Sequence, residues 1–121
     1  MLPIAHPTPA QAAGGAAEES AERFLARQGL LMVERNYRTR LGEIDLIAQH
    51  GDSLVFIEVR MRSSGDFGGA IESITPRKQR RIIAAARQYL MRFAHLPPCR
   101  FDVVCMGGEA PVWLRGAFDA S

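Results

Sequence analysis

The sequence predicts a mixed α/β fold. Two stretches place apolar residues at helical spacing, about Ala17–Gln28 and Thr75–Ala94. Shorter stretches between and after them read as strands. The order along the chain is α, β, β, β, α, β, β, which interleaves helices with strands.

The first helix carries Ala21, Phe24, Leu25 and Gln28 as its inward stripe, and Gly29 is a good stop. Leu30–Tyr37 leans toward strand, and Glu43–Ala48 and Leu54–Met61 read as two strands around the turn His50-Gly51-Asp52. Ser63–Gly69 is rich in Ser and Gly and is expected to be a mobile loop. Thr75 as N-cap and Pro76 at the first position start the second helix. Its stripe is Ile82, Ile83, Ala86, Leu90 and Phe93, and Pro97-Pro98 forbids continuation. Arg100–Met106 and Val112–Leu114 follow as strands, with a short helical turn expected at the tail.

A chain of 121 residues is one compact domain by default. Met1–Ala16, with its prolines and Gly14-Gly15, is expected to be a flexible tail before a single domain over 17–121. Cys99 and Cys105 form no CxxC and read as small buried hydrophobes of a reducing compartment. His6, His50 and His95 are scattered. No apolar run reaches the roughly 18–20 residues that span a membrane. The N-terminus lacks the basic-then-apolar pattern of a secretory signal. A soluble cytoplasmic protein is expected.

The two middle strands pose the chemical question, because each carries an acid inside an apolar run. Alternation puts Ile44, Leu46 and Ala48 on one face and Val55, Ile57, Val59 and Met61 on another, both wholly apolar. Matching those faces pairs Ile44 with Val59, Leu46 with Ile57 and Ala48 with Val55. Asp45 then falls opposite Glu58, and Glu43 opposite Arg60. Like charges set opposite on a sheet are destabilising. A divalent cation would compensate, and magnesium prefers one or two carboxylates plus water and phosphate. Arg60, on the same face as Glu58, could contact that phosphate. The alternative is a diagonal Arg60–Asp45 salt bridge on a solvated sheet face.

An Asp on one strand and Glu-x-Lys or a variant on the next resembles the PD-(D/E)xK nuclease superfamily. The ordered series is more specific: Arg35-Asn36-Tyr37-Arg38, Gly42-Glu43-Ile44-Asp45-Leu46-Ile47, Phe56-Ile57-Glu58-Val59-Arg60, Phe67-Gly68, Lys78, and Arg100-Phe101-Asp102-Val103-Val104. It resembles the YraN family of bacterial proteins from about Gly14 onward. The resemblance implies a restriction-endonuclease-like three-layer fold, with a central mixed β-sheet flanked by helices. It implies Mg2+ or Mn2+ held by Asp45 and Glu58 with the Val59 carbonyl, and Asp45, Glu58 and Arg60 as catalytic residues. Glu18 stands where the family carries a first-helix glutamate, which junction resolvases of the superfamily use at the active site. Glu18 is therefore a candidate third metal ligand; otherwise it is an acid that suits a helix N-terminus. Arg60 replaces the superfamily's usual lysine. Arginine keeps its proton and cannot be a general base, but it can stabilise charge on a phosphate.

The second helix holds Arg77, Lys78, Arg80, Arg81, Arg87 and Arg92, with no acid from Ser73 to Phe101. Such a one-sign cluster favours a polyanion partner, and its bland counterpart is a solvated face. A phosphate at the start of that helix would use its free amides. Arg77, Lys78, Gln79, Arg81, Arg38 and Arg62 are the candidate nucleic-acid contacts. Asp102 favours a structural role, and Trp113 a core or edge position. The resulting expectation is a magnesium-dependent nuclease acting on DNA, branched or otherwise structured. Symmetrical cutting of two strands would need a homodimer. The rival is a nucleic-acid-binding or scaffold protein that keeps the fold without catalysis.

Overall fold

The computed structural model describes residues 9–61 and 72–120. Their elements are α1 (Pro9–Arg27), β1 (Leu31–Arg38), β2 (Glu43–His50), β3 (Ser53–Met61), α2 (Pro76–Leu90), β4 (Cys99–Met106) and β5 (Val112–Phe118). The expected order holds. The strands form one mixed sheet in the order β1-β2-β3-β4-β5. Among the described strands only β3 and β4 run parallel. Parallel neighbours need a crossover, and α2 lies in that connection.

Alternation along the central strands feeds two cores. Leu54, Phe56, Phe101, Val103 and Cys105 pack with Ile82, Ala85, Ala86 and Tyr89 of α2. Val55, Ile57 and Val104 pack with Ala17, Ala21 and Leu25 of α1. The sheet is thus covered on both faces, giving helix, sheet and helix as three layers. No helix among the described residues is long and apolar enough to cross a membrane.

Several boundaries differ from expectation for local reasons. Helix α1 starts at Pro9, well before Ala17. Proline is tolerated in a first turn, and the alanines that follow are the best helix formers. Gln28 is exposed, and Ala17 joins the inward stripe instead. Helix α2 has the predicted Thr75 cap, whose hydroxyl accepts the Lys78 amide at 3.2 Å. It ends at Leu90, short of Ala94, where Met91, Arg92 and Phe93 turn to i−3 carbonyls. Its inward row is Ile82, Ala85, Ala86 and Tyr89, so Tyr89 takes the place expected of Phe93. The Tyr89 ring lies edge-on to Phe56 and Tyr37. Cys105 is buried as expected, whereas Cys99 is exposed.

The expected helical turn at the tail is instead strand, since β5 runs to Phe118. Two contacts hold it. Phe118 stacks on Phe101 with ring centroids 5.0 Å apart. Gly116, at φ 60°, donates its amide to Asp102 at 3.0 Å across a register shift. Asp102 is fully buried and also accepts from Arg100 Nε at 2.8 Å, Arg100 Nη2 at 3.0 Å and Trp113 Nε1 at 2.8 Å. It is structural, and Trp113 is half-buried on the α1 side. Asp102→Ala leaves these donors without an acceptor and should cost about 3 kcal/mol. Thermal melts by circular dichroism would read this, and an unchanged melting temperature would remove Asp102 from that role.

Candidate active site

The site begins where β2 and β3 separate. Their ladder runs from His50↔Ser53 to Leu46↔Ile57, in the predicted register, with Ala48 opposite Val55. Among the described residues the ladder stops there, so Ile44–Val59, Asp45–Glu58 and Glu43–Arg60 are not ladder partners as expected. The Asp45 carboxylate replaces a backbone carbonyl, with Oδ2 accepting the Val59 amide at 2.8 Å. A short acidic side chain can compete with the ladder in this way. Strand β3 stays paired with β4 through Met61 and β2 stays paired with β1 through Glu43, so the sheet parts between β2 and β3. Ile44 accordingly packs with the α2 core while Leu46 packs with the α1 core, although alternation alone places both on one face. Strand β1 follows the departure through Asn36, which takes φ 49°. Asparagine is among the few residues that accept this conformation readily.

This separation brings Asp45 and Glu58 together side by side. The two carboxyl groups lie close enough to shift each other. Burial first, then the charge of Asp45, pushes Glu58 up to about 8. Arg60 and Lys78 oppose the shift. Burial also raises Asp45, against the Val59 amide and the Glu58 hydrogen bond, which lower it. Glu58 is therefore the member of the pair that keeps its proton around neutral pH.

A pH effect on stability follows. Glu58 loses its proton near 8 in the folded chain and near its ordinary 4.5 when unfolded. The folded state then binds more protons between those values. This contribution is fully present below 4.5 and is lost as pH rises through 8. In chelator, Glu58→Gln should match wild type near pH 5 and exceed it near pH 9 by on the order of 2 kcal/mol, a few degrees in melting temperature. Parallel melting curves across pH would contradict the raised Glu58 carboxyl.

Arg60 stands beside the pair, with Nη2 at 3.5 Å from Glu58 Oε1 and both side chains largely buried. Its Nε is buried and has no acceptor among the described residues. The alternative Arg60–Asp45 salt bridge is not the one formed. A cavity of about 200 Å³ opens here, lined by Glu43, Glu58, Arg60, Lys78, Arg81 and Ile82. Ile82 anchors α2 to the sheet, and Lys78 lies one turn before it and three residues before Arg81, a neighbour of both on the helix surface. The helix is held close by Gly42, where a Cβ would lie 2.1 Å from the Arg81 carbonyl oxygen.

The remaining candidates divide. Glu18 on α1 has its carboxyl raised by burial above all and then by the charge of Asp45, against the Asn36 side chain and Arg38. Among the described residues no three His, Cys, Asp or Glu side chains group to hold one ion. Arg38 is exposed and pairs with Glu43 at 3.4 Å. Arg77 is exposed and outside the cavity lining. Gln79 also lies outside it, and its amide donates to the Ile74 carbonyl at 3.1 Å. The Lys78 amide is held by Thr75, so any anion here meets side chains instead. Arg62 and the Ser63–Gly69 loop fall outside the described residues. Glu43 was not expected to line the site, though its place two before Asp45 was a usable signal. Asn36 was not either, and its tolerance of positive φ was the clue.

A five-stranded mixed sheet between two helices, with an acid pair where two strands part, is a restriction-endonuclease-like α/β fold. The model of "Uncharacterised protein family UPF0102", the YraN family, matches residues 17–106, and the chain belongs to that family. It is 56% identical over 111 residues to a UPF0102 protein of Cupriavidus taiwanensis, covering 91% of this chain and 85% of the relative. A UPF0102 protein of Janthinobacterium sp. is 50% identical over 113 residues, covering 93% and 92%. One from Methylibium petroleiphilum is 52% identical over 118 residues, covering 92% and 97%.

Proposed function

We propose that this protein is a metal-dependent nuclease that hydrolyses phosphodiester bonds in DNA, with branched or otherwise structured DNA as its substrate. The observation that carries the reading is the close pair Asp45–Glu58 beside Arg60, whose buried Nε lacks an acceptor among the described residues. Two half-buried carboxylates set side by side are a natural home for a divalent cation. The donor set is all oxygen and holds two carboxylates, which suits Mg2+ or Mn2+ with water and phosphate completing the shell. Asp45 and Glu58 would hold the ion, with the Val59 carbonyl as a further oxygen. The chemistry supplied by such an ion is polarisation of the phosphate and acidification of the attacking water.

The chain's own groups do the rest. Glu58 gives up its proton when the pair takes a cation, so binding releases acid. The Val59 amide fixes the orientation of Asp45. Arg60 keeps its charge and offers Nε to a phosphate oxygen, where it stabilises negative charge developing during attack. Lys78 and Arg81 place basic side chains at the same cavity to receive the backbone.

The test is cleavage of labelled single-stranded, duplex, flapped and four-way DNA in Mg2+ or Mn2+. The expected result is cleavage of at least one form, abolished by chelator. Salt-sensitive binding with no cleavage in either metal would replace this reading with that of a non-catalytic binding protein.

A further inference from the structure

The arginines sort by what holds them. Arg35, Arg38, Arg60, Arg92 and Arg100 each have a carboxylate partner. Lys78 and Arg81 line the cavity, and neither forms an ion pair among the described residues. Charge then decides what they face. A divalent ion balances ionised Asp45 and Glu58. Arg60 balances one phosphate diester. Glu43, the other acid of the cavity, is already paired with Arg38 at 3.4 Å. Lys78 and Arg81 remain, on a different wall from Arg60, because they come from α2 and Arg60 comes from β3.

We infer that the cavity holds two neighbouring phosphates of one nucleic-acid strand: the scissile one at Arg60 and the next at Lys78 and Arg81. The inference rests on the acid pair being the reaction centre. Lys78 and Arg81 are then positioning residues that recognise a phosphate which does not react. The helix backbone that carries them is held in place. The Arg81 carbonyl lies against Gly42, and Ile82 is buried in the core beside it. Arg80, adjacent in sequence, points outside this lining and is exposed. The site therefore distinguishes a backbone with consecutive phosphates from a lone phosphate group.

The experiment is a nuclear magnetic resonance titration in metal-free buffer with two thymidine dinucleotides. TpT carries one phosphate and pTpT carries two, on the same pair of nucleosides. Wild type should bind pTpT about tenfold more tightly than TpT, since the second phosphate gains charge-assisted hydrogen bonds. Arg81→Gln and Lys78→Gln should each shrink that ratio severalfold, whereas Arg80→Gln should keep it. Equal binding of the two ligands by wild type would overturn the inference. So would an equal loss in Arg80→Gln, which would signify a diffuse field from the basic helix. Cleavage plays no part in the titration. A chain that shows the ratio but never cuts DNA would overturn the nuclease reading alone.

Discussion

Asp45→Asn and Glu58→Gln should each lower metal-dependent DNA cleavage by at least about 10²–10³-fold, the scale seen when one group that stabilises developing charge is lost. Both substitutions remove a negative charge from a pair whose proposed work is to hold a cation. Both keep the local hydrogen bonds. In Asp45→Asn the side-chain oxygen can still accept the Val59 amide, which Asp45 holds at 2.8 Å. In Glu58→Gln the new side-chain amide can donate to the neighbouring Asp45. Alanine at position 45 would confound the experiment, because a buried Val59 amide without an acceptor costs about 1–3 kcal/mol. The measurements are single-turnover cleavage, melting temperature and calorimetric titration with Mg2+. Wild type should gain stability with Mg2+, more at pH 8.5 than at pH 6, since the cation must displace the Glu58 proton. Near-wild-type cleavage by both folded variants would move the chemistry elsewhere.

Gly42→Ala should be the most damaging glycine-to-alanine change among the described glycines with a Cβ clash to meet. A Cβ there would lie 2.1 Å from the Arg81 oxygen and 2.7 Å from the Arg81 carbon. Both atoms are backbone in a helix packed on the core, so no side-chain rotation relieves the overlap. Gly42 is also tied down on its own side. Its carbonyl accepts the Thr39 amide at 2.8 Å and its amide donates to the Thr39 hydroxyl at 3.1 Å. Either the turn or α2 must move. Overpacking of this kind costs about 1–3 kcal/mol and sometimes more. We expect the upper end, a melting temperature lower by roughly 10 °C or more. Any folded fraction should also bind DNA weakly, because the shift displaces Lys78 and Arg81 from the cavity. A Gly42→Ala chain with wild-type melting would mean that β2 and α2 are not wedged as described.

Much of the fold was legible from the chain. The period of apolar residues identifies both helices, and the Thr75-Pro76 cap places the start of α2. Matching apolar faces determines the β2–β3 register up to Leu46↔Ile57. These features depend on neighbours in sequence, so local physics suffices. The ends of elements were less legible. Phe118 becomes strand because Phe101 and Asp102 receive it, and neither is near it in sequence.

The candidate site divides in the same way. The unusual acids Asp45 and Glu58 stand out in the sequence, because a charge inside an apolar strand needs a reason. Their neighbour Arg60 follows from the alternation of β3. The manner of their meeting does not follow from pattern. Alternation predicts two acids facing each other across a ladder, but the ladder opens and one acid takes a backbone amide from β3. That outcome depends on β3 being held by β4, on Asn36 accepting a positive φ, and on Gly42 letting β2 approach α2. Those constraints come from other parts of the chain. The sequence by itself determined which elements form and which side chains are chemically out of place. Only the tertiary structure decided that β2 parts from β3 at Asp45, because the balance between a ladder hydrogen bond and a side-chain one is set by the neighbours that hold each strand.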